Sequence, residues 1–202
     1  MIAPLCLFML FAASDAYHIT HHRDDQVAIL EPSTKTSWGD WRQAEYCNAS
    51  SYAYAFEMNV GNPKQPDDDT GVNGIVLLCR PRFPNQNYQI ASMYKNWGKW
   101  QKKLSCPGQS NFLTGVSIKS QSKQWHRDDT AVNNFQFTCK DGTILTGVGG
   151  PHGEWGTQDN CPPKSAICGI KTKVEDFIKK KWYNKNADNT ALNKATFFCC
   201  SI

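Results

Sequence analysis

The chain has 202 residues, with 22 Lys+Arg against 18 Asp+Glu and a formal net charge of +4. Hydrophobic residues make up 40% and charged residues 20%, a balance that supports a packed core and excludes wholesale disorder. The charge is too mild and too mixed along the chain to indicate nucleic acid, and no apolar run reaches the roughly 18–20 residues needed to span a bilayer.

The first element is Ile2 to Ala13, almost purely apolar, followed by Ser14-Asp15-Ala16. Small residues at 14 and 16 suit a signal peptidase, so residues 1–16 are expected to be a signal peptide and the chain secreted and extracellular. A polar N-terminal segment, residues 17–37, follows. Asn48-Ala49-Ser50 is a glycosylation sequon usable on the secretory route. Cleavage would remove Cys6 and leave eight cysteines, an even number that predicts four disulfides in a secreted chain.

From Trp38 onward the chain repeats itself. Asp68-Asp69-Thr70-Gly71-Val72-Asn73 recurs as Asp128-Asp129-Thr130-Ala131-Val132-Asn133 and as Asp188-Asn189-Thr190-Ala191-Leu192-Asn193. The three threonines are 60 residues apart, and nine residues after each stands a cysteine: Cys79, Cys139 and Cys199. Upstream, Trp38-Gly39-Asp40-Trp41 matches Trp97-Gly98-Lys99-Trp100 and His152-Gly153-Glu154-Trp155, each followed six residues later by Cys47, Cys106 or Cys161. Fixed order and spacing imply three structural copies, about 38–94, 95–150 and 151–202, in one domain spanning 38–202.

Inside each copy the period is two, which is strand grammar. Ile75, Leu77 and Cys79 share a face, as do Phe135, Phe137 and Cys139, and Ala195, Phe197 and Cys199. Tyr88 to Met93 and Thr143 to Val148 read as further strands; helical signal is confined to a turn or two in Val174 to Lys181. Each copy is expected to hold about four strands, making an all-β domain of three sheets around a shared interior. Equivalent cysteines should pair equivalently, Cys47 with Cys79, Cys106 with Cys139 and Cys161 with Cys199, leaving Cys168 with Cys200. Swapped partners in the third copy remain open, because spacing does not fix connectivity.

The Trp-Gly-x-Trp turns, the three Asp-Asp/Asn-Thr-x-x-Asn segments and the ending Cys168-Gly-Ile-Lys-Thr-Lys-Val-Glu through Thr190-Ala-Leu-Asn-Lys-Ala-Thr-Phe-Phe-Cys-Cys200 resemble the vitelline membrane outer layer protein 1 family. The resemblance covers about Trp38 to Cys200. It implies a β-prism of three Greek-key, four-stranded sheets around a pseudo-threefold axis, and a role in an extracellular coat or secretion. It also implies an activity toward chito-oligosaccharides.

Candidate ligand-binding residues are Asp68, Asp69, Asp128, Asp129 and Asp188, with Trp38, Trp97 and His152 at the first position of each Trp-Gly-x-Trp turn. Carboxylates accept hydrogen bonds from sugar hydroxyls, and a flat indole suits the C–H face of a pyranose. The second tryptophan of each turn reads as core. Adjacent Asp residues in a strand point opposite ways, so no single cluster supplies the carboxylate pair of a glycosidase, and no catalytic residue is assigned. Repetition of the acidic segment favours a turn device, since a catalytic site is usually unique. No metal site and no cofactor are expected. The functional expectation is a structural or interaction protein binding glycans or coat glycoproteins. The alternative is a glycosyl transferase or hydrolase acting on N-acetylglucosamine oligomers.

Overall fold

A computed structural model describes residues 22–61, 70–81, 87–124, 130–176 and 190–202. The expected signal peptide, the acidic residues Asp68, Asp69, Asp128, Asp129 and Asp188, and Lys179 to Lys181 lie outside the described residues. Among those described there is no helix; Val174, where a helical turn was expected to begin, is the last residue of a strand.

Each copy contributes two long antiparallel strands, formed where small, branched and aromatic residues alternate faces. These are β4 (Ser51–Val60) with β5 (Val72–Pro81), β9 (Leu113–Ser120) with β10 (Val132–Cys139), and β14 (Ser165–Val174) with β15 (Leu192–Ser201). A short outer strand flanks each pair: β6 (Tyr88–Ile90) on β5, β11 (Ile144–Thr146) on β10, and β1 (Gln26–Leu30) on β15. The other edge is made of two half-strands: β7 (Lys99–Trp100) and β8 (Leu104–Ser105) on β4, β12 (Glu154–Trp155) and β13 (Asp159–Asn160) on β9, and β2 (Asp40–Trp41) and β3 (Glu45–Tyr46) on β14.

The order β7-β4-β5-β6 places the last strand beside the first, which is a Greek key, and β12-β9-β10-β11 repeats it. The first two copies each hold the four strands expected, counting the paired half-strands as one, but copies and sheets do not coincide. Each Trp-Gly-x-Trp turn feeds its half-strands to the sheet of the preceding copy, and the first copy's half-strands complete the sheet of the third. The third Greek key is therefore closed by both ends of the chain, and the Ser201 amide donates to Asp25 O at 2.9 Å. The β-domain accordingly begins earlier than residue 38: β1, from the segment read as polar, turns Ala28 and Leu30 inward and leaves Val27 and Ile29 each 53% exposed.

The inward faces of the three sheets enclose one apolar core. At its centre Phe56, Phe137 and Phe197, one from each sheet, are buried together, with ring centroids 4.6 Å apart for Phe56–Phe137 and 5.4 Å for Phe137–Phe197. A single sheet cannot bury its apolar face alone, so the three-walled prism is the solution this repeat reaches.

Four disulfides join Cys47–Cys79, Cys106–Cys139, Cys161–Cys199 and Cys168–Cys200. The first three lie toward the prism end opposite the Trp-Gly-x-Trp turns, and each spans a corner. Cys106, for example, follows β8 and donates its amide to Tyr54 O of the first sheet, while its sulfur is bonded to Cys139 of the second.

The glycine of the Trp-Gly-x-Trp turn is set by space as well as backbone angle. A Cβ at Gly153 would lie 2.3 Å from Ser120 O, and its φ of +82° is one that L side chains rarely adopt. Gly153→Ala is expected to cost about 1–3 kcal/mol through overpacking and backbone strain, read as a lower urea midpoint with an unchanged m-value.

Candidate functional site

The last residues of β4, β9 and β14 and the first residues of β5, β10 and β15 lie at one end of the prism, with the Trp-Gly-x-Trp turns beside them. There the repeated Thr-x-x-Asn pieces enter β5, β10 and β15. Asn73, Asn133 and Asn193 are fully buried, so their amides require partners. Asn133 Nδ2 donates to Thr130 Oγ1 at 2.6 Å, and Asn193 Nδ2 to Thr190 Oγ1 at 2.8 Å. The threonines donate onward, Thr130 to Gln121 Oε1 and Thr190 to Glu175 Oε2, both at 2.7 Å. Ala131 and Ala191 sit between them with φ of +47° and +53°. In the second and third copies the repeated Thr and Asn are parts of a tight turn, whereas Asn73 Nδ2 of the first donates to Asn59 Oδ1 at 3.4 Å.

One of these turns also opens onto a cleft of about 230 Å³ between the first and second sheets. Its polar lining includes Thr70, Gln101, Thr130, Asn133 and His152, and its apolar lining includes Val60, Val148 and Pro151. Asn133 Oδ1 is buried and has no partner among the described residues. Gly150 leaves that oxygen uncovered: a Cβ there would lie 2.4 Å from it. Val148 is 70% exposed, the highest value among the large exposed hydrophobic side chains of the described residues.

The sequence-predicted residues divide. His152 is exposed and lines the cleft. Trp38 and Trp97 are half-buried and do not line it; the Trp38 amide donates to Asn193 Oδ1 at 3.2 Å, and Lys95 Nζ lies 5.8 Å from the Trp97 ring. The acidic residues are outside the described set; Thr70 and Thr130, which follow Asp69 and Asp129 in sequence, both line the cleft. Asn133, Gln101 and Val148 were not anticipated as ligand contacts. The one signal for them is the run Gly149-Gly150-Pro151-His152, which interrupts the strand pattern where a close approach is needed. Asn48 of the sequon is exposed and follows Cys47 in a turn far from the cleft.

The expectation that the second tryptophan of each turn plugs the core is wrong. Trp41, Trp100 and Trp155 are 42%, 39% and 40% exposed. They occupy edge half-strands that no further layer covers, so their rings lie against the outside of the sheets.

A family model described as vitelline membrane outer layer protein I matches residues 28–202 of this chain. The chain belongs to that family. It is 34% identical over 204 residues to the vitelline membrane outer layer protein 1 homolog of Homo sapiens, covering 98% of this chain and 95% of the relative. The Mus musculus homolog is 34% identical over 186 residues, covering 90% and 87%. Among solved structures, a mannose-binding jacalin-related lectin from Ananas comosus superposes with a TM-score of 0.52 at 6% identity, over 86% of this chain and 99% of the lectin. That likeness shows the β-prism fold.

In this family member the site end is braced by charge. Asp176 Oδ1 accepts from Lys95 Nζ at 2.6 Å and Asp176 Oδ2 pairs with Arg42 at 2.8 Å, joining the end of β14 to the residues beside the first two Trp-Gly-x-Trp turns. The hydrogen bond from Lys95, then that from Arg42, holds the Asp176 carboxyl below the usual carboxylate range. A depressed folded-state value means the pair stabilises above the unfolded pKa and is lost as pH falls through the folded one. Solvent weakens it, since Asp176 is 63% exposed. Among the described residues no group of three His, Cys, Asp or Glu is placed to hold a metal. What the cleft offers is an unpaired amide oxygen, hydroxyl and amide groups, an imidazole and an apolar rim.

Proposed function

We propose that this protein is a secreted interaction module of an extracellular coat or secretion, binding glycans or glycoproteins through the cleft at the hairpin end of its prism. The observation that carries this reading is Asn133 Oδ1, a buried acceptor without a partner, facing a cleft with an apolar rim. A sugar hydroxyl would satisfy the oxygen, which otherwise carries a desolvation cost of about 1–3 kcal/mol, while Val148 and Pro151 meet the ring's C–H face. The cleft is smaller than the roughly 300–1,000 Å³ of sites for drug-sized ligands, so it suits one sugar ring at the end of a chain. Four disulfides support an oxidising destination, as a signal peptide over residues 1–16 and glycosylation at Asn48 would.

Calorimetry of the mature chain with N-acetylglucosamine oligomers and mannose oligosaccharides tests the proposal. Saturable binding is expected without products by mass spectrometry. His152→Ala is expected to weaken binding roughly three- to tenfold, the worth of one hydrogen bond, with no change in Tm because the side chain is exposed. Steady release of shorter or longer oligomers would instead support a glycosyl transferase or hydrolase.

A further inference from the structure

The pseudo-threefold repeat provides an internal control for any feature on the outer walls. Trp41, Trp100 and Trp155 stand at the same register, opposite Lys173 of β14, Asn59 of β4 and Lys119 of β9. Two residues earlier on those strands are Lys171, Glu57 and Ser117. The residues paired across the long hairpin with Lys173, Asn59 and Lys119 are Lys194, Gly74 and Asn134. The same three positions therefore carry three lysines on the third sheet, one lysine on the second and one glutamate on the first.

The fold does not need all three lysines, since the first sheet carries none at these positions and the second only Lys119. It is also hindered by them. Lys173 and Lys194 are directly opposite in an antiparallel ladder, where like charges destabilise. None of the three makes an ion pair among the described residues. Among the described residues, Glu175 accepts from Thr190, Asp176 holds Arg42 and Lys95, and Asp40 is registered with Val174 rather than with the lysines. Lys173 Nζ is steadied by Ser37 O at 2.8 Å, and Lys171 Nζ lies 5.4 Å from the Trp41 ring centroid. All three lysines are half-buried beside a tryptophan that is 42% exposed. A concentration of unneutralised positive charge, held against a flat apolar surface, is complementary to a polymer with an apolar ring face and anionic substituents.

We propose that the outer wall of the third sheet is a second, separate binding site, for a sulfated or uronate-bearing glycan. A pyranose ring lies on Trp41, and its sulfate or carboxylate groups meet Lys171, Lys173 and Lys194. The site differs from the cleft in chemistry and position, so a prism occupied at both would link two carbohydrate chains.

The test is titration of the mature chain with a heparin-type sulfated hexasaccharide at 0.05, 0.15 and 0.5 M salt. Binding is expected to weaken steeply with salt, because the lysines lie on the outer wall, where charges are screened over about 10 Å at 0.1 M. The double variant Lys171→Ser with Lys194→Asn installs the residues that the second sheet carries at these positions. It is expected to lose at least tenfold in affinity at 0.15 M salt while unfolding at the same or higher temperature, because a repulsive pair is relieved. Trp41→Ala is expected to weaken binding with the salt dependence retained. His152→Ala, a cleft variant, should leave it unchanged, so failure of the cleft and failure of the wall are told apart. Unaltered affinity in the double lysine variant, equal binding of the desulfated hexasaccharide, or equal binding of a nucleic-acid oligomer of matched charge would each overturn the proposal.

Discussion

Phe137→Ala is expected to lower unfolding free energy by about 3–5 kcal/mol, measured by urea denaturation, the range for deleting a buried aromatic side chain. The reason is where the ring sits. Phe137 is fully buried and contacts the first sheet through Phe56, the third through Phe197, and its own sheet through Phe135, whose centroid is 6.1 Å away. A cavity at that point is bounded by three walls cross-linked at their corners by disulfides, so collapse of the surroundings is restricted and the cavity penalty persists. The equivalent residue in the first sheet is Leu77, since Phe137 opposes Val116 as Leu77 opposes Phe56. Phe137→Leu copies a side chain that the same fold accepts elsewhere and is expected to cost clearly less. A loss below about 1 kcal/mol for the alanine variant would mean that the three sheets do not share an interior.

That shared interior was legible in the sequence because it depends on periodicity and recurrence, which a linear string records. Phe135 and Phe137, Ala195 and Phe197, and Ile75 and Leu77 recur two apart at the same distance from a cysteine, and so the inward faces follow, with the pairing in the third copy left open. What spacing cannot record is which sheet an edge piece joins. Asp40–Trp41 and Glu45–Tyr46 are two-residue half-strands, too short to carry a pattern of their own, and they pair with β14, some 130 residues away. The misplacement of Trp41, Trp100 and Trp155 in the core has the same origin. A large apolar side chain beside a turn reads as buried until its half-strand is found at an edge with nothing packed over it.

The candidate sites were less legible for a related reason. Asn133 was visible as part of a repeated turn, but an oxygen without a partner is a property of three-dimensional surroundings. Asn73 Oδ1 shares that lack, yet only Asn133 lines the cleft described here. Lys171, Lys173 and Lys194 are likewise unremarked in a chain with 22 basic residues. Their adjacency requires the register of the β14–β15 hairpin, and their oddity appears only when equivalent positions of the other two sheets are compared.

Removing the corner disulfide by the pair Cys106→Ala and Cys139→Ala is expected to cost about 3.5–4 kcal/mol, and removing Cys168 and Cys200 the same way about as much. The chain-entropy model depends on loop length, and the sequence separations of the two bridges are 33 and 32. Global stability alone therefore does not distinguish them; the native state does. Cys168 and Cys200 lie on strands β14 and β15, which remain bound by a full antiparallel ladder without the sulfur link. Cys106 joins the half-strand Leu104–Ser105, held to β4 through two residue pairs, to the neighbouring sheet. Without its disulfide that edge has little to prevent it from lifting, because local opening depends on the few contacts a segment makes. Hydrogen exchange in native conditions is the measurement. The corner variant is expected to lose protection selectively at Leu104 to Cys106 and at the facing end of β10, whereas the Cys168/Cys200 variant is expected to keep local protection and exchange faster only through global unfolding. Uniform loss in both variants would show that the corners are held by packing and that the sulfur bridges act solely on the unfolded chain.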